Sequence, residues 1–304
     1  MPQHLEKFEV IIVGGSYAGL SAALILGRSL RKVLVVDSGQ ARNQPTFHAH
    51  SFLTRDGEKP AVLAALARQQ AEYYPTVSIL EGRVVRAKSE NDLIWVETAA
   101  GEQFLTRKIL LATGVTDEMP ALPGFRECWG KSILHCPYCH GYEVANQRIG
   151  LFGNGDLGFE MVKLISNWSK QLTLFTDGPA QFLTEHKVLI DKHKFPIITE
   201  KIHEIEHQEG MLHAVLLADG TRYELDAIFA RVPFHQHSDL ARQLGCTHQE
   251  NGLLQCDEFG STGVPNVYAA GDMTMLLQQV VLAAGSGLKA GAAINRELIE
   301  ADFH

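Results

Sequence analysis

The 304-residue chain has no cluster of lysines and arginines, no long apolar run and few cysteines for its length. Its formal net charge is -8, so it offers no basic face to hold a polyanion, and nucleic acid is not an expected partner. No stretch reaches the ~18 apolar residues that a membrane-spanning helix needs. The first apolar run, residues 10–15, is short and closely preceded by Glu6, Lys7 and Glu9, unlike a secretion signal. The expected location is therefore cytoplasmic, with no membrane partner. Five cysteines (Cys128, Cys136, Cys139, Cys246 and Cys256) are too few for a disulfide scaffold in a chain of this size. In a reducing compartment a close pair such as Cys136 and Cys139 is more often catalytic or metal-bound than structural. Low-complexity segments are also lacking, and a chain 45% apolar and 20% charged is globular in composition, with length for about two domains.

What is present begins with "FEVIIVGGSYAGLSAALILGRSLRKVLVVDSG", residues 8–39: an apolar strand, a glycine turn, an Ala/Leu-rich helix and a second apolar strand ending at Asp37. This is a βαβ unit whose turn would bring a pyrophosphate to a helix N-terminus. Gly14 makes the tight turn, Gly15 and Ser16 keep the phosphate side small, and Gly19 lets helix and strand approach closely. Asp37 lies 23 residues after Gly14 (37 − 14), where an acid accepts hydrogen bonds from an adenosine ribose. Ser16 replaces the middle glycine of the usual pattern but is still small.

The plan recurs. In "RIGLFGNGDLGFEMVKLISNWSKQLTLFTDG", residues 148–178, Gly153 matches Gly14 and Leu172 matches Val33, both at an offset of 139 (153 − 14 and 172 − 33). A later echo pairs Gly101 with Gly220 and Ile109 with Ile228 at an offset of 119 (220 − 101 and 228 − 109), so each copy adds a strand hairpin and a buried strand. The fall of 20 means that the first copy holds an extra segment, placed around "ARNQPTFHAHSFLTRDGEKP" and assigned to the first domain alone. The final "VPNVYAAGDMTMLLQQVVLAAGSGLKAGAAINREL" completes neither unit locally and is expected to return to the first. The fold class is α/β: two Rossmann-like three-layer nucleotide-binding domains, the second inserted in the first. Residues 1–115 and 235–304 form the first domain, and 116–234 form the inserted one carrying Cys136 and Cys139. The crossings at 115–120 and 231–237 are the expected hinges.

The duplication tests the second domain. Asp37 plus the offset reaches Thr176, so the ribose-binding acid is missing from its place, although Asp177, one position late, could still reach an NADH ribose. No arginine occurs between Leu174 and Arg222 to meet an NADP 2'-phosphate, which disfavours NADPH. Gly153, Gly155 and Gly158 keep the glycine pattern, consistent either with a second nucleotide site or with an ancestral turn.

Around the cysteines the chain reads "HCPYCHGYE". Redox catalysis, a structural bridge and a metal site are its three readings. Zinc sites usually draw on two separated pairs of ligands, whereas His135, Cys136, Cys139 and His140 are crowded together, and Cys246 and Cys256 form no second pair. No metal is expected. "HEIEH" at residues 203–207 satisfies the zinc-protease pattern, but that chemistry needs a helix and this stretch falls at the start of a hairpin. His48 and His50, two apart in the first-domain insertion, would share a face of an extended segment and line a flavin or substrate pocket, or belong to a solvated loop.

With "GGSYAGLSAAL", "LLATG", "CPYC" and "VYAAGD" in this order, the chain resembles the low-molecular-weight thioredoxin reductases over nearly its whole length. The resemblance implies FAD, with Gly14, Gly15, Ser16, Ala18, Gly19 and Asp37 at the pyrophosphate and ribose and Val84 near the adenine. Ala112, Thr113 and Gly114 would lie along the dinucleotide, Gly271 and Asp272 at the ribityl chain, and Gln279 and Val280 near the flavin ring. It also implies a homodimer. Cys139 would be the flavin-proximal thiol, Cys136 the one that exchanges with substrate, and His140 the proton donor and acceptor, with His135 a weaker candidate. His140 stands where these reductases usually have aspartate, and Thr176, Asp177 and Gly178 stand where they carry His-Arg-Arg. "CHGYE" and "FHAHSFLTRDG" are closer to the branch that includes the dithiol oxidases of gliotoxin and holomycin biosynthesis, some of which use no nicotinamide donor. The expected function is that of a FAD-dependent thiol-disulfide oxidoreductase acting on thioredoxin or a small-molecule dithiol or disulfide. NAD(P)H-dependent thioredoxin reductase proper and a non-catalytic flavin-bound redox sensor are the alternatives.

Overall fold

The computed structural model describes residues 5–304. The chain opens with β1 (Glu6–Val13), α1 (Tyr17–Arg28) and β2 (Val33–Asp37), followed by α2 (Pro60–Glu72), β3 (Val77–Glu81), β4 (Val84–Glu90), β5 (Leu93–Thr98) and β6 (Gln103–Leu111). β7 (Val115–Asp117) leads into α3 (Phe125–Cys128), β8 (Ile133–Leu134), α4 (Pro137–His140), β9 (Ile149–Phe152), α5 (Gly155–Ile165), β10 (Leu172–Phe175), α6 (Thr184–Lys192) and β11 (Ile197–Ile198). Then come β12 (Ile202–Gln208), β13 (Met211–Leu217), β14 (Arg222–Glu224) and β15 (Ala227–Ala230). β16 (Phe234–Gln236), α7 (Leu240–Gln243), β17 (Val267–Ala269) and α8 (Val280–Phe303) close the chain.

Two compact units result. One takes the chain up to Gln44 together with Ser51–Thr116 and Phe234–His304; the other takes Pro45–His50 and Asp117–Pro233. The insertion read from the sequence as part of the first domain alone is thus divided, with Pro45–His50 grouping with the second unit. The grouping reflects long-range proximity in the fold, which residue spacing does not report.

In the first unit a seven-stranded sheet runs β3-β2-β1-β6-β5-β4, with β17 also paired to β6. β3, β2, β1, β6 and β17 are parallel, and β4 and β5 form the antiparallel hairpin. Central parallel strands are covered on both faces, so their sequences are apolar throughout rather than alternating. Val10 and Ile12 pack with α1 and α8, while Ile11 and Val13 pack with the hairpin's Ile94 and Val96. Small residues let α1 and α8 touch closely: a Cβ on Gly287 would overlap the Ala18 carbonyl, and one on Gly291 would meet Ile25 and Ala22.

The second unit holds a five-stranded sheet, β11-β10-β9-β15-β8, parallel throughout, and a three-stranded antiparallel sheet, β12-β13-β14. Its register repeats that of the first. Val10 pairs with Val33 and Ile149 with Leu172, each partner shifted by 139 (149 − 10 and 172 − 33). Ile11 pairs with Ile109 and Gly150 with Ile228, so the later offset of 119 (228 − 109) is also met in the pairing.

Candidate active site

The first glycine turn lies between β1 and α1. Gly14 has φ +108°, and a Cβ there would collide with the Ala112 carbonyl. The Gly15 N–H donates to Asp37 Oδ1 at 3.0 Å, joining the turn to the end of β2. Ser16, the N-cap of α1, makes no side-chain capping bond. The first-turn N–H groups therefore remain available to an anion, and the glycines let the turn pack tightly against the Ala112 carbonyl and Asp37. Ala18 and Ala112 are buried beside this turn, and Val84 is buried in the sheet core.

The other flavin-site candidates meet the same unit's sheet end. The Ala112 N–H donates to Val13 O, and Thr113 Oγ1 lies 3.8 Å from Met273 Sδ. Gly114 has φ +67° and its carbonyl accepts from the His237 N–H at 3.2 Å. Gly271, at φ +85°, donates its N–H to Ser286 Oγ at 2.9 Å. Gln279 is the N-cap of α8, and Val280 begins that helix. Asp272 Oδ2 lies 3.5 Å from Arg42 Nη1, and Arg42 also donates to Gln278. Arg42 and Gln278 were not singled out by sequence. Arg42 was a cation inside the insertion, but its partners lie 230 and 236 residues away.

The second glycine turn is built differently. Gly153, Gly155 (φ +55°) and Gly158 join β9 to α5, with Asn154 as N-cap. Asn154 Oδ1 accepts from the N–H groups of Gly155 and Gln181, both at 2.8 Å, and its Nδ2 donates to the carbonyls of Pro179 (2.9 Å) and Thr176 (3.3 Å). One amide thus fastens residues 176–181 to the start of α5. Phe182 extends this packing: a Cβ on Gly158 would stand 3.2 Å from its ring. Thr176, in the place of Asp37, is buried with its hydroxyl 2.6 Å from the Gly178 carbonyl. Asp177 Oδ1 accepts from the Ile202 N–H at 2.9 Å and its other oxygen is 3.6 Å from Lys201 Nζ, so this carboxylate faces the 201–202 backbone.

The cysteines flank a single helical turn in the second unit. Cys136 is the N-cap of α4 and Pro137 its first residue; the N–H groups of Cys139 and His140 both approach the Cys136 carbonyl at 3.2 Å. One turn brings residues three apart to the same side, which is the placement a dithiol pair needs. Cys136 is buried and Cys139 partly exposed. A Cβ on Gly141 would come within 2.8 Å of the Trp168 ring, so this glycine lets α4 seat closely against that indole. Tyr138 meets Trp168 edge to face at 5.7 Å, and His135 stacks on Trp129 at 5.9 Å.

His140 ends α4. Both ring nitrogens are buried without a hydrogen-bond partner. Burial pushes its pKa below the ordinary 6.5; Glu143 opposes that shift, His50 adds to it, and the Cys136 carbonyl opposes it weakly from outside hydrogen-bond geometry. A neutral imidazole with no fixed partner can accept a proton from a thiol. Of the insertion histidines, His50 Nε2 lies 3.4 Å from Glu143 Oε1, and the His48 and His50 rings are 6.3 Å apart. Glu143 carried no role in the sequence reading.

The remaining candidates are structural. "HEIEH" lies in β12, paired antiparallel with β13 across two bulges; His203 is exposed, and His207 Nδ1 accepts from the Gly210 N–H at 3.2 Å. Among the described residues, no group of three or more His, Cys, Asp or Glu side chains could hold a metal ion, and no helix is long and apolar enough to cross a membrane. Burial raises the thiol pKa of Cys128, Cys246 and Cys256, which suits packing rather than exchange.

The chain matches the pyridine nucleotide-disulphide oxidoreductase family over residues 8–287. It is 31% identical to thioredoxin reductase sirT of Leptosphaeria maculans, across 97% of this chain and 96% of that protein. It is 33% identical to thioredoxin reductase tcpT of Claviceps purpurea, across 96% and 94%. An oxidoreductase from Agrobacterium tumefaciens superposes with a TM-score of 0.90 at 37% identity, covering 96% of this chain and 99% of that one. The structure of HlmI superposes with a TM-score of 0.91 at 33% identity, covering 98% and 94%.

Proposed function

The chain belongs to the pyridine nucleotide-disulphide oxidoreductase family and is a FAD-binding disulfide oxidoreductase of the thioredoxin-reductase-like kind; from that premise we propose that it is a dithiol oxidase, closing a small-molecule dithiol to a disulfide and passing the electrons through FAD to oxygen. One observation carries the choice: in the second glycine turn the Asn154 amide is bonded to residues 176–181, the segment that begins at the ribose-acid position. Thr176 and the turned-away Asp177 support it, since neither offers the turn a ribose-binding acid.

In this reading Gly14, Gly15, Ser16, Ala18, Gly19 and Asp37 hold the pyrophosphate and ribose of FAD. Val84, Ala112, Thr113, Gly114, Gly271, Asp272, Gln279 and Val280 border the rest, and Arg42 orients Asp272. When bound, FAD supplies a two-electron acceptor that oxygen can reoxidise. The protein's own chemistry is thiol exchange. His140 takes the proton of one substrate thiol as that sulfur attacks Cys136 Sγ in the oxidised pair. The Cys136–Cys139 bond breaks, and Cys139 leaves as a thiolate with the bonding electrons. The second substrate sulfur then attacks the mixed disulfide, Cys136 takes up its proton, and the substrate departs as a closed disulfide. Two protons and two electrons have moved to the protein, and one dithiol plus one O₂ gives one disulfide plus one H₂O₂. The protein is proposed to act as a homodimer; exposed Leu276, Leu277, Leu282 and Leu288 around the start of α8 supply an apolar face.

The alternative, an NAD(P)H-dependent thioredoxin reductase, draws on the intact Gly153, Gly155 and Gly158. Anaerobic titration of the FAD-loaded protein with NADPH, NADH and dithiothreitol separates the two. The dithiol is expected to bleach the flavin and neither nicotinamide to do so; on admitting air, colour returns with one H₂O₂ per dithiol. Rapid bleaching by either nicotinamide overturns the proposal.

A further inference from the structure

The cysteine turn is bordered by a titratable pair that the exchange steps leave unused. Glu143 lies three residues beyond His140 (143 − 140), and its partner His50 comes from Pro45–His50, the segment that groups with the second unit. That segment is held in place by packing: Ala49 is buried, and a Cβ on Gly130 would stand 3.2 Å from Pro45 and 3.3 Å from Thr46. His140, with both ring nitrogens buried and unbonded, has Glu143 and His50 as the charged groups acting on it, along with the weaker Cys136 carbonyl; His48 stands behind His50.

The signs of the two effects are opposite. A carboxylate near a buried imidazole favours its protonated form, and a neighbouring protonated histidine disfavours it. When His140 takes a thiol proton it becomes a buried cation, and such a charge is costly without an opposite one nearby. Glu143 is placed to supply that charge. His50, 3.4 Å from it, both fixes the carboxylate and offsets it.

We propose that Glu143 and His50 are positioning residues that set the proton affinity of His140 during thiol exchange, Glu143 stabilising the imidazolium and His50 holding and moderating Glu143. This rests on the dithiol-oxidase reading, because it requires His140 to accept the substrate's proton. The step adds no redox chemistry: an S–H bond breaks and an N–H bond forms on His140.

The test uses the full-length, FAD-loaded protein and its Glu143→Gln and His50→Gln variants, with secondary structure and flavin content checked first. Two quantities are followed against pH: the rate of anaerobic flavin reduction by dithiothreitol, and the NMR titration of the His140 ring in histidine-labelled protein, assigned with His140→Gln. In Glu143→Gln the titration and the rising limb of the rate move to lower pH, and the limiting rate falls roughly tenfold, a fraction of a full acid–base contribution. In His50→Gln both move to higher pH. A merely structural pair would move the two variants alike or not at all, and either result overturns the inference. If dithiothreitol fails to reduce the wild-type flavin, the dithiol-oxidase reading falls, while the His140 titrations still judge the pair.

Discussion

An alanine at Gly19 would drive its methyl group into the Gly14 carbonyl across the turn that feeds α1. Neither group can yield without moving β1 or the helix, and forced contacts of this kind cost about 2 kcal/mol. Gly19→Ala is expected to lower the melting temperature by roughly 5 °C and to reduce the flavin bound per chain, read from the visible absorbance. Cys136→Ser and Cys139→Ser should do the reverse: keep the yellow colour but lose dithiol-driven bleaching by at least about a hundredfold, because no second sulfur can release the first. Asp37 was legible because a βαβ unit fixes where its second strand ends. Glu143 was not, although it sits in the cysteine stretch, because its partner His50 is 93 residues earlier (143 − 50) and no periodicity links them. Arg42 and Gln278 were missed for the same reason.

The elements follow the apolar pattern where it is long and depart from it where it is short. β1, β2 and the hairpin that turns at Gly101 between β5 and β6 announced themselves as buried or alternating runs. β8, two residues just before His135, is too short for a period to be read, yet it forms the edge of the parallel sheet beside β15 and leads directly to the cysteines. α8 is held to the first unit's sheet by a polar cluster as well as by small residues. Glu297 accepts from both Tyr268 in β17 and Lys108 in β6. Burial alone would raise the Glu297 pKa, but the Lys108 and Tyr268 hydrogen bonds outweigh it and the net shift is downward from 4.5. A carboxyl whose folded pKa lies below its unfolded one adds stability above the unfolded value and loses it as pH falls through the folded one. Glu297→Gln should therefore melt below wild type near neutrality, and thermal melts at stepped pH should show that gap closing only below pH 4.5. A gap that widened on acidification would rule this account out.

At the scale of the whole chain, the two offsets 139 and 119 were enough to reveal two copies of one plan, because insertions change spacing but leave the pairing of parallel strands intact. They could not show how the two glycine turns differ in their bonding. A glycine pattern reports that backbones approach closely, and it persists whether the space beyond it receives a ligand or is filled by the protein's own loop. In the second unit Asn154 ties residues 176–181 to the turn, while Ser16 leaves the first turn's donors uncapped. This asymmetry should appear as a difference in ligand-linked stability. A ligand that binds only the native state stabilises it by RT ln(1 + [L]/Kd), about 4 kcal/mol at a thousandfold excess over Kd. Adding FAD to the stripped protein should raise its melting temperature by several degrees, on the order of 2–4 °C per kcal/mol. Adding NADPH or NADH at about a thousand times the Kd typical of a micromolar nucleotide site should leave it unchanged. Because each unit has its own core, a nicotinamide that did bind would shift the melting of the second unit whether or not electrons were transferred. Melting therefore tests nucleotide binding at the second turn independently of turnover.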